Sequence, residues 1–297
     1  MTKMVSVIIP SYNSEKTIRH TLDGILTLQG NHLKEVIVVD SSDNTAMDEI
    51  KKHYSAHGVQ FINAGIRVMP AIGRNIGARH ATGKILAFID SDAYPSPEWL
   101  QIIVSEYNKG RLAGGGSVEL PDFQRNNGLA IAQLYLQLNE FMNVGKDRVK
   151  QFIPSVNLYC DRELFMQAGG FPQIRASEDT LFGFAINRIT PLWFLPEAKV
   201  FHIFREDRSA FLRNQKLLGR YIIIYRRMHF QSLLYRSIIP VVLFPGFLLV
   251  KFTRMAFRIC ASRPGETARF IKVLPVFLLG LAYWSIGFIQ GCFAGEN

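Results

Sequence analysis

Cysteine is scarce in this chain: among 297 residues there are three, Cys160, Cys260 and Cys292. Their spacing fits neither a zinc-ligand pair nor a disulfide framework, which argues for free thiols in a reducing compartment. A signal peptide's cleavage region is also lacking, because MTKMVSVIIPSYN runs straight into an apolar strand and a turn. The catalytic part is therefore expected in the cytoplasm. From Ile8 to Glu15 there is no glycine, lysine or arginine, so the triphosphate loop of a sugar-phosphate nucleotidyltransferase is missing. Charge imbalance is absent from the first two thirds. Residues 1–204 carry 20 basic and 20 acidic side chains, whereas residues 205–236 carry 8 and 2, and residues 251–272 carry 6 and 1. Nucleic-acid binding calls for a basic groove across a folded domain, so no nucleic-acid partner is expected. Basic stretches flanking apolar ones suit the anionic face of a membrane, which makes membrane lipids a partner.

What the chain does have is a series of short apolar runs, each ending in polar or acidic residues. Val5 to Ile9 predicts a first strand, broken at Pro10-Ser11-Tyr12-Asn13 before a helix from Glu15 to Leu28. Glu35 to Asp40 predicts a second strand, Val59 to Ile62 a third, and Ala71 to Ala81 a helix leading into a central strand at Ile85 to Ile89. This alternation predicts an α/β fold with a doubly wound, mostly parallel sheet. Asp90-Ser91-Asp92 follows the central strand at once, and Ser96-Pro97 reads as the cap of the next helix. Ligands of open α/β sheets gather at the carboxyl ends of strands, and two hard oxygen donors there suit a divalent cation beside substrate phosphates.

Other residues are candidates on weaker local grounds. Asp40 ends a strand of the same sheet, where it either caps a helix or accepts hydrogen bonds from a base or ribose. Arg74-Asn75 lies near a helix start, within reach of a diphosphate. Gly114-Gly115-Gly116 either admits a ligand or makes a bulge, and Ser155 to Cys160 predicts a strand on the acceptor side. Glu178-Asp179 opens a helix through Asn187 and is either a capping pair or a source of a general base. His202 ends a further apolar run, where it is either structural or part of a metal shell.

In that order, VSVIIPSYN, VIVVDSSDNT, GRNIGARHATGKILAFIDSDAYPSPEWL and GGFPQIRASEDTLFGFAI resemble the motifs of family 2 glycosyltransferases, inverting enzymes of the Rossmann-like GT-A fold. The resemblance covers about residues 3–205. It implies transfer of a sugar from a nucleotide-sugar donor, with Mg²⁺ or Mn²⁺ as cofactor. By position Asp40 matches the base-reading aspartate, Asp90 and Asp92 the metal and ribose–phosphate carboxylates, and Asp179 the catalytic base on the acceptor side beside Glu178. Pro10, Tyr12, Asn13, Arg74 and Asn75 fall in the donor-binding motifs, and His202 matches a histidine that completes the metal or diphosphate shell in some relatives. Ser41 departs from the second aspartate that many members carry.

Beyond residue 205 the composition changes, which predicts a domain of 1–205 followed by a membrane-associated region of 206–297. Arg213, Lys216, Arg220, Arg226, Arg227 and Arg236 punctuate apolar residues, as in a basic amphipathic helix on a bilayer. Residues 237–250 predict a re-entrant segment or short span, which an extension through Leu233 and Leu234 with Arg236 snorkelling would lengthen. Residues 273–293 are uncharged and long enough for a transmembrane helix. The expectation is a glycosyltransferase on the cytoplasmic face of a bacterial or archaeal inner membrane, acting on a lipid-linked or glycan acceptor. The readings set against it are the nucleotidyltransferase and a non-catalytic membrane scaffold.

Overall fold

The apolar runs form strands and the amphipathic stretches between them form helices. The computed structural model describes residues 4–232, 235 and 237–294. Its first part runs β1 (Val5–Ser11), α1 (Ile18–Leu26), β2 (Leu33–Asp40), α2 (Asp48–Ser55), β3 (Val59–Asn63), α3 (Pro70–His80) and β4 (Ile85–Phe88). Val36 to Val39 and Ile85 to Phe88 are almost wholly buried, because both faces of a parallel sheet are covered; this is why these runs do not alternate with polar residues. β1 lies between β2 and β4, parallel to both, and the register sets Ser11 opposite Asp40 and Ile8 opposite Phe88. Strand ends that carry polar residues therefore emerge at one edge.

The chain continues through β5 (Ala93–Pro95), α4 (Trp99–Asn108), β6 (Ala113–Glu119), α5 (Gly128–Leu138), β7 (Arg148–Val149), β8 (Leu158–Asp161), α6 (Arg162–Gln167), α7 (Glu178–Asn187) and β9 (Leu192–His202). The sheet order is β3-β2-β1-β4-β8-β6-β9-β5, with β7 beside β9. β3 to β4 form the expected parallel part, but β8 is antiparallel to both β4 and β6, so the sheet is mixed beyond β4. Two local expectations change and one alternative is decided. Ser155–Asn157 is a 3₁₀ turn, and β8 is an inner strand whose Leu158, Tyr159 and Cys160 are fully buried. The Gly114–Gly116 backbone is closely approached by Trp193, Asn157 and Ala198, and its register with β9 shifts just after Gly116, so of the two alternatives the bulge is the one found. α4 starts at Trp99, after Pro97 rather than at it, and its cap position, Glu98, makes no side-chain bond.

Two compact units divide the chain: Met1–Glu119 with Gly145–Ile203, and Leu120–Val144 with Phe204–Asn297. The second therefore takes in α5 as well as the residues beyond 205. Its helices are α5, α8 (Arg208–Phe230), α9 (Ile239–Val242), α10 (Phe244–Cys260) and α11 (Glu266–Cys292). Ala130, Leu134 and Tyr135 of α5 share one apolar core with Phe211, Phe277 and Trp284, which is what binds that excursion to the C-terminal helices. The basic stretch forms α8, capped by Asp207 through the Ser209 and Ala210 amides. Residues 237–250 supply α9 and the first turns of α10, which continues through Lys251, Arg254 and Arg258 to Cys260. Among the described residues α11 is the one helix long and apolar enough to cross a membrane. Leu233, Leu234 and Arg236 lie outside the described residues.

Candidate active site

Because β1, β2 and β4 are parallel, their carboxyl ends open at one edge of the sheet, and the turn after β4 carries Asp90 and Asp92 there. β9 pairs antiparallel with β5 so that His202 stands opposite Ala93. That register brings the imidazole to Asp92, with Nε2 3.5 Å from Oδ1. One ligand atom from each of Asp90, Asp92 and His202 lies within 4.8 Å of the others. Two carboxylate oxygens and one imidazole nitrogen are a donor set suited to Mn²⁺ or Mg²⁺ that completes its shell with water and phosphate oxygens.

Arg74, on α3, is 3% exposed and joins two carboxylates. Its Nη2 donates to Asp90 Oδ1 at 2.5 Å and its Nη1 to Glu178 Oε1 at 2.9 Å. The guanidinium lies 5.5 Å from the centre of the Phe171 ring. Asn75, the next residue, exchanges two hydrogen bonds with the Phe171 backbone, at 2.7 and 2.9 Å. Gly170 has φ +69, and a Cβ there would stand 2.7 Å from the Asn75 amide oxygen, so this loop needs glycine both for its conformation and for Asn75 to reach it. Both members of the expected Arg74-Asn75 donor contact are thus engaged within the protein, holding the loop that precedes Glu178-Asp179.

Ser177, just before α7, is left-handed at φ 69, a conformation that non-glycine residues adopt at a cost of order 1–3 kcal/mol. It starts α7 so that Glu178 faces Arg74 while Asp179 stays partly buried. Burial, then the neighbouring Glu178 charge and Asp90, raise the Asp179 carboxyl to about 7, against the Thr180 amide and Arg74, which favour its charged form. Thr180 N–H donates to Asp179 Oδ1 at 2.7 Å.

At the ends of β1 and β2, Asp40 is 1% exposed. Its Oδ1 accepts from Ser11 Oγ at 3.1 Å and from Ser42 Oγ at 2.6 Å, and its Oδ2 pairs with Lys51 Nζ at 2.8 Å. Burial would raise this carboxyl, but Lys51 and Ser42 outweigh it and hold it below the ordinary carboxylate range. Tyr12 Oη and Asn13 Nδ2 both donate to Asp43 at 3.1 Å, and the Arg67 guanidinium lies 4.3 Å from the centre of the Tyr12 ring. Pro10 sits in β1 opposite Val39, partly exposed. The structure therefore gathers Asp90, Asp92, His202, Arg74 and Glu178-Asp179 into one connected set, and Tyr12, Asn13 and Asp40 into a neighbouring one. Sequence reading missed Lys51, Asp43 and Arg67; of these only Asp43, in the polar turn after Asp40, carried a local signal.

Comparison with known proteins follows the same lines. The sequence model described as Glycosyl transferase family 2 matches residues 6–167. Glycosyltransferase AglE of Haloferax volcanii is 29% identical over 57% of this chain and 56% of its own length. The glucosyl-dolichyl phosphate glucuronosyltransferase of the same organism is 30% identical over 40% of this chain and 39% of its own. The chain thus matches about half or less of the length of these relatives. Among solved structures, the mannosyltransferase PcManGT from Pyrobaculum calidifontis, in complex with GDP-Man and Mn²⁺, superposes with a TM-score of 0.64 at 18% identity, covering 97% of this chain and 86% of that one. S. aureus TarS 1–349 in complex with UDP-GlcNAc gives 0.52 at 18%, covering 97% and 89%.

Proposed function

The chain belongs to glycosyl transferase family 2, and from that premise we propose that it moves a sugar, with inversion, from a nucleotide-diphosphate donor to a hydroxyl or phosphate of a lipid-linked or glycan acceptor at the membrane face. The observation that carries this reading is the Arg74 bridge, which ties Asp90 to Glu178 through one buried guanidinium. It links a candidate donor end of the site to a candidate acceptor end by two charge-assisted hydrogen bonds.

Asp90, Asp92 and His202 are the residues that would hold Mg²⁺ or Mn²⁺. When bound, the ion neutralises charge on the leaving diphosphate. Asp179 takes the proton of the acceptor hydroxyl. Glu178 is already engaged by Arg74 through its Oε1 at 2.9 Å, whereas the carboxyl of Asp179, near 7, matches the pH at which a general base works best. Attack from the side opposite the leaving group needs one base and gives inversion in a single displacement. Arg74 and Asn75 act by positioning: Arg74 sets the distance between the two carboxylate groups, and Asn75 fixes the loop before Asp179. Pro10, Tyr12, Asn13 and Asp40 receive the nucleotide, with Asp40 held ionised to accept from the base.

Membrane action, with the catalytic unit in the cytoplasm, draws support from the basic, apolar C-terminal helices and from α11 in particular. The test is to incubate the full chain with labelled UDP-, GDP- and dTDP-sugars and a membrane lipid extract, with Mn²⁺ or Mg²⁺ or with chelator. Label should pass from one donor into the lipid phase and remain soluble in chelator. Failure of every donor to be transferred or hydrolysed, or full transfer in chelator, would overturn the reading.

A further inference from the structure

The C-terminal helices carry apolar residues on the wrong side for water. In α10, Met255 and Ile259 face the core, as does Lys251, whose Nζ lies 4.5 Å from the centre of the Trp284 ring. Leu249 and Val250, by contrast, are 63% and 54% exposed. A helix that places a cation inward and hydrophobes outward is not built for an aqueous surface. Phe257 and Ile271, at 75% and 63%, are exposed as well, but one end carries a run of such residues. α8 finishes there with Met228 and Phe230, each 51% exposed, and α9 begins there with Ile238, Ile239, Val242 and Leu243, at 42 to 68%. Patches of this kind mark an interaction surface.

The backbone at this end is also prepared for a dry environment. α11 ends beside α8, and Arg227, 8% exposed, donates to the carbonyls of Gly291, Cys292 and Ala294 and, through Nε, to Tyr235. The last carbonyls of a helix have no intrahelical partner. In water they need none from the protein; in hydrocarbon each unsatisfied group costs several kcal/mol.

An exposed cation lies behind the apolar end on α8. Arg220, exposed, is ten residues before Phe230 in the same helix, about 15 Å along it. Half the hydrocarbon core of a bilayer is about 15 Å. Arg226, nearer the end, lies 5.3 Å from the Phe247 ring, as a cation does when it is drawn back along an aromatic surface.

We propose that this end of the helical unit inserts into one leaflet of an anionic bilayer, with Arg220 behind it at the phosphate level, and that α11 does not cross the membrane. Its length and composition allow crossing, but its neighbour forbids it. α8 runs parallel to α11 in backbone contact at Gly219, Gly287 and Gly291, where a Cβ would collide with the backbones of Trp284, Lys216 and Arg220. Lys216 is level with Gly287 and Arg220 with Gly291. A crossing α11 would therefore drag Lys216 and Arg220 into the hydrocarbon, where charge is costly. The inference rests on the proposed membrane action of the enzyme but is tested without donor or acceptor, so failure of the enzymatic reading leaves its test intact.

The experiment adds purified full-length chain to preformed vesicles of phosphatidylcholine alone or mixed with phosphatidylglycerol, and measures cosedimentation. Binding should be at least tenfold tighter to the mixed vesicles. Val242→Asp/Leu243→Asp should weaken it a further tenfold or more, while Phe257→Asp, near the far end of α10, should change it less than threefold. Unaltered far-ultraviolet circular dichroism and melting confirm folding of each variant. Protease sites fused before Met1 and after Asn297 should both be cut from outside the vesicles. Equal binding by the double variant, equal loss with Phe257→Asp, or protection of one fused site would overturn the proposal.

Discussion

Asp179→Asn is expected to make the protein both more stable and nearly inactive. The native carboxyl loses its proton near pH 7 and the unfolded one near 3.8. Between those values the folded chain holds a proton that the unfolded chain has released. A carboxyl raised in this way costs nothing below about pH 4 and destabilises progressively as pH rises through 7. Its ceiling at pH 8 is about 4 kcal/mol. Partial exposure reduces this, and so does the favourable interaction of the charge with the start of α7, worth about 0.5–1 kcal/mol. A net gain of roughly 1–3 kcal/mol remains for the amide, which keeps an acceptor for the Thr180 N–H. For a unit of this size that is a rise in Tm of roughly 3–10 °C at pH 8, shrinking to nothing near pH 4. Thermal denaturation of wild type and variant from pH 4 to 8.5, without donor or divalent ion, measures it. Transfer should fall by about 10² to 10⁴ if Asp179 is the base, with donor binding intact. A variant that melts lower at pH 8 and loses donor binding along with transfer would show that Asp179 merely caps α7, and would refute the reasoning.

The other predictions concern the groups around it. Transfer in the wild type should rise with pH to a half-maximum near 7, as Asp179 gives up its proton, and an acidic limb well below 6 in the pH–kcat profile would contradict this. Arg74→Met leaves Asp90 and Glu178 without their shared cation and should cost about 3–5 kcal/mol; Arg74→Lys, which can reach one carboxylate but not fork between two, should recover only part of that in a melting experiment. Asp92→Asn should weaken Mn²⁺-dependent donor binding by calorimetry at least tenfold, and chelation should remove the difference between variant and wild type. Gly287→Leu pushes a side chain into the Lys216 backbone and should destabilise the helical unit by about 3 kcal/mol or more, read as loss of helical circular dichroism at a lower temperature.

What the sequence by itself determined is what neighbouring residues determine. Strands such as Val36 to Val39 and Ile85 to Phe88 were legible because continuous burial leaves an unbroken apolar run, and Asp40, Asp90 and Asp92 because they close such runs. The start of α7 at Glu178 was legible for the same local reason. The bonds that join these pieces were not. Arg74 and Glu178 are 104 residues apart, and no pattern around either distinguishes a buried bridge from two surface charges; only the fold, by burying the guanidinium between them, decides that Arg74 serves protein carboxylates. The antiparallel β8 between β4 and β6 was hidden because an inner strand reads alike in either direction. α5 joins the C-terminal helices through an apolar face that could equally have packed on a sheet. The run from 273 to 293 reads as a span by length and composition. Its glycines, however, bring α8 and its cations alongside, and that contact is a property of the packed helices alone.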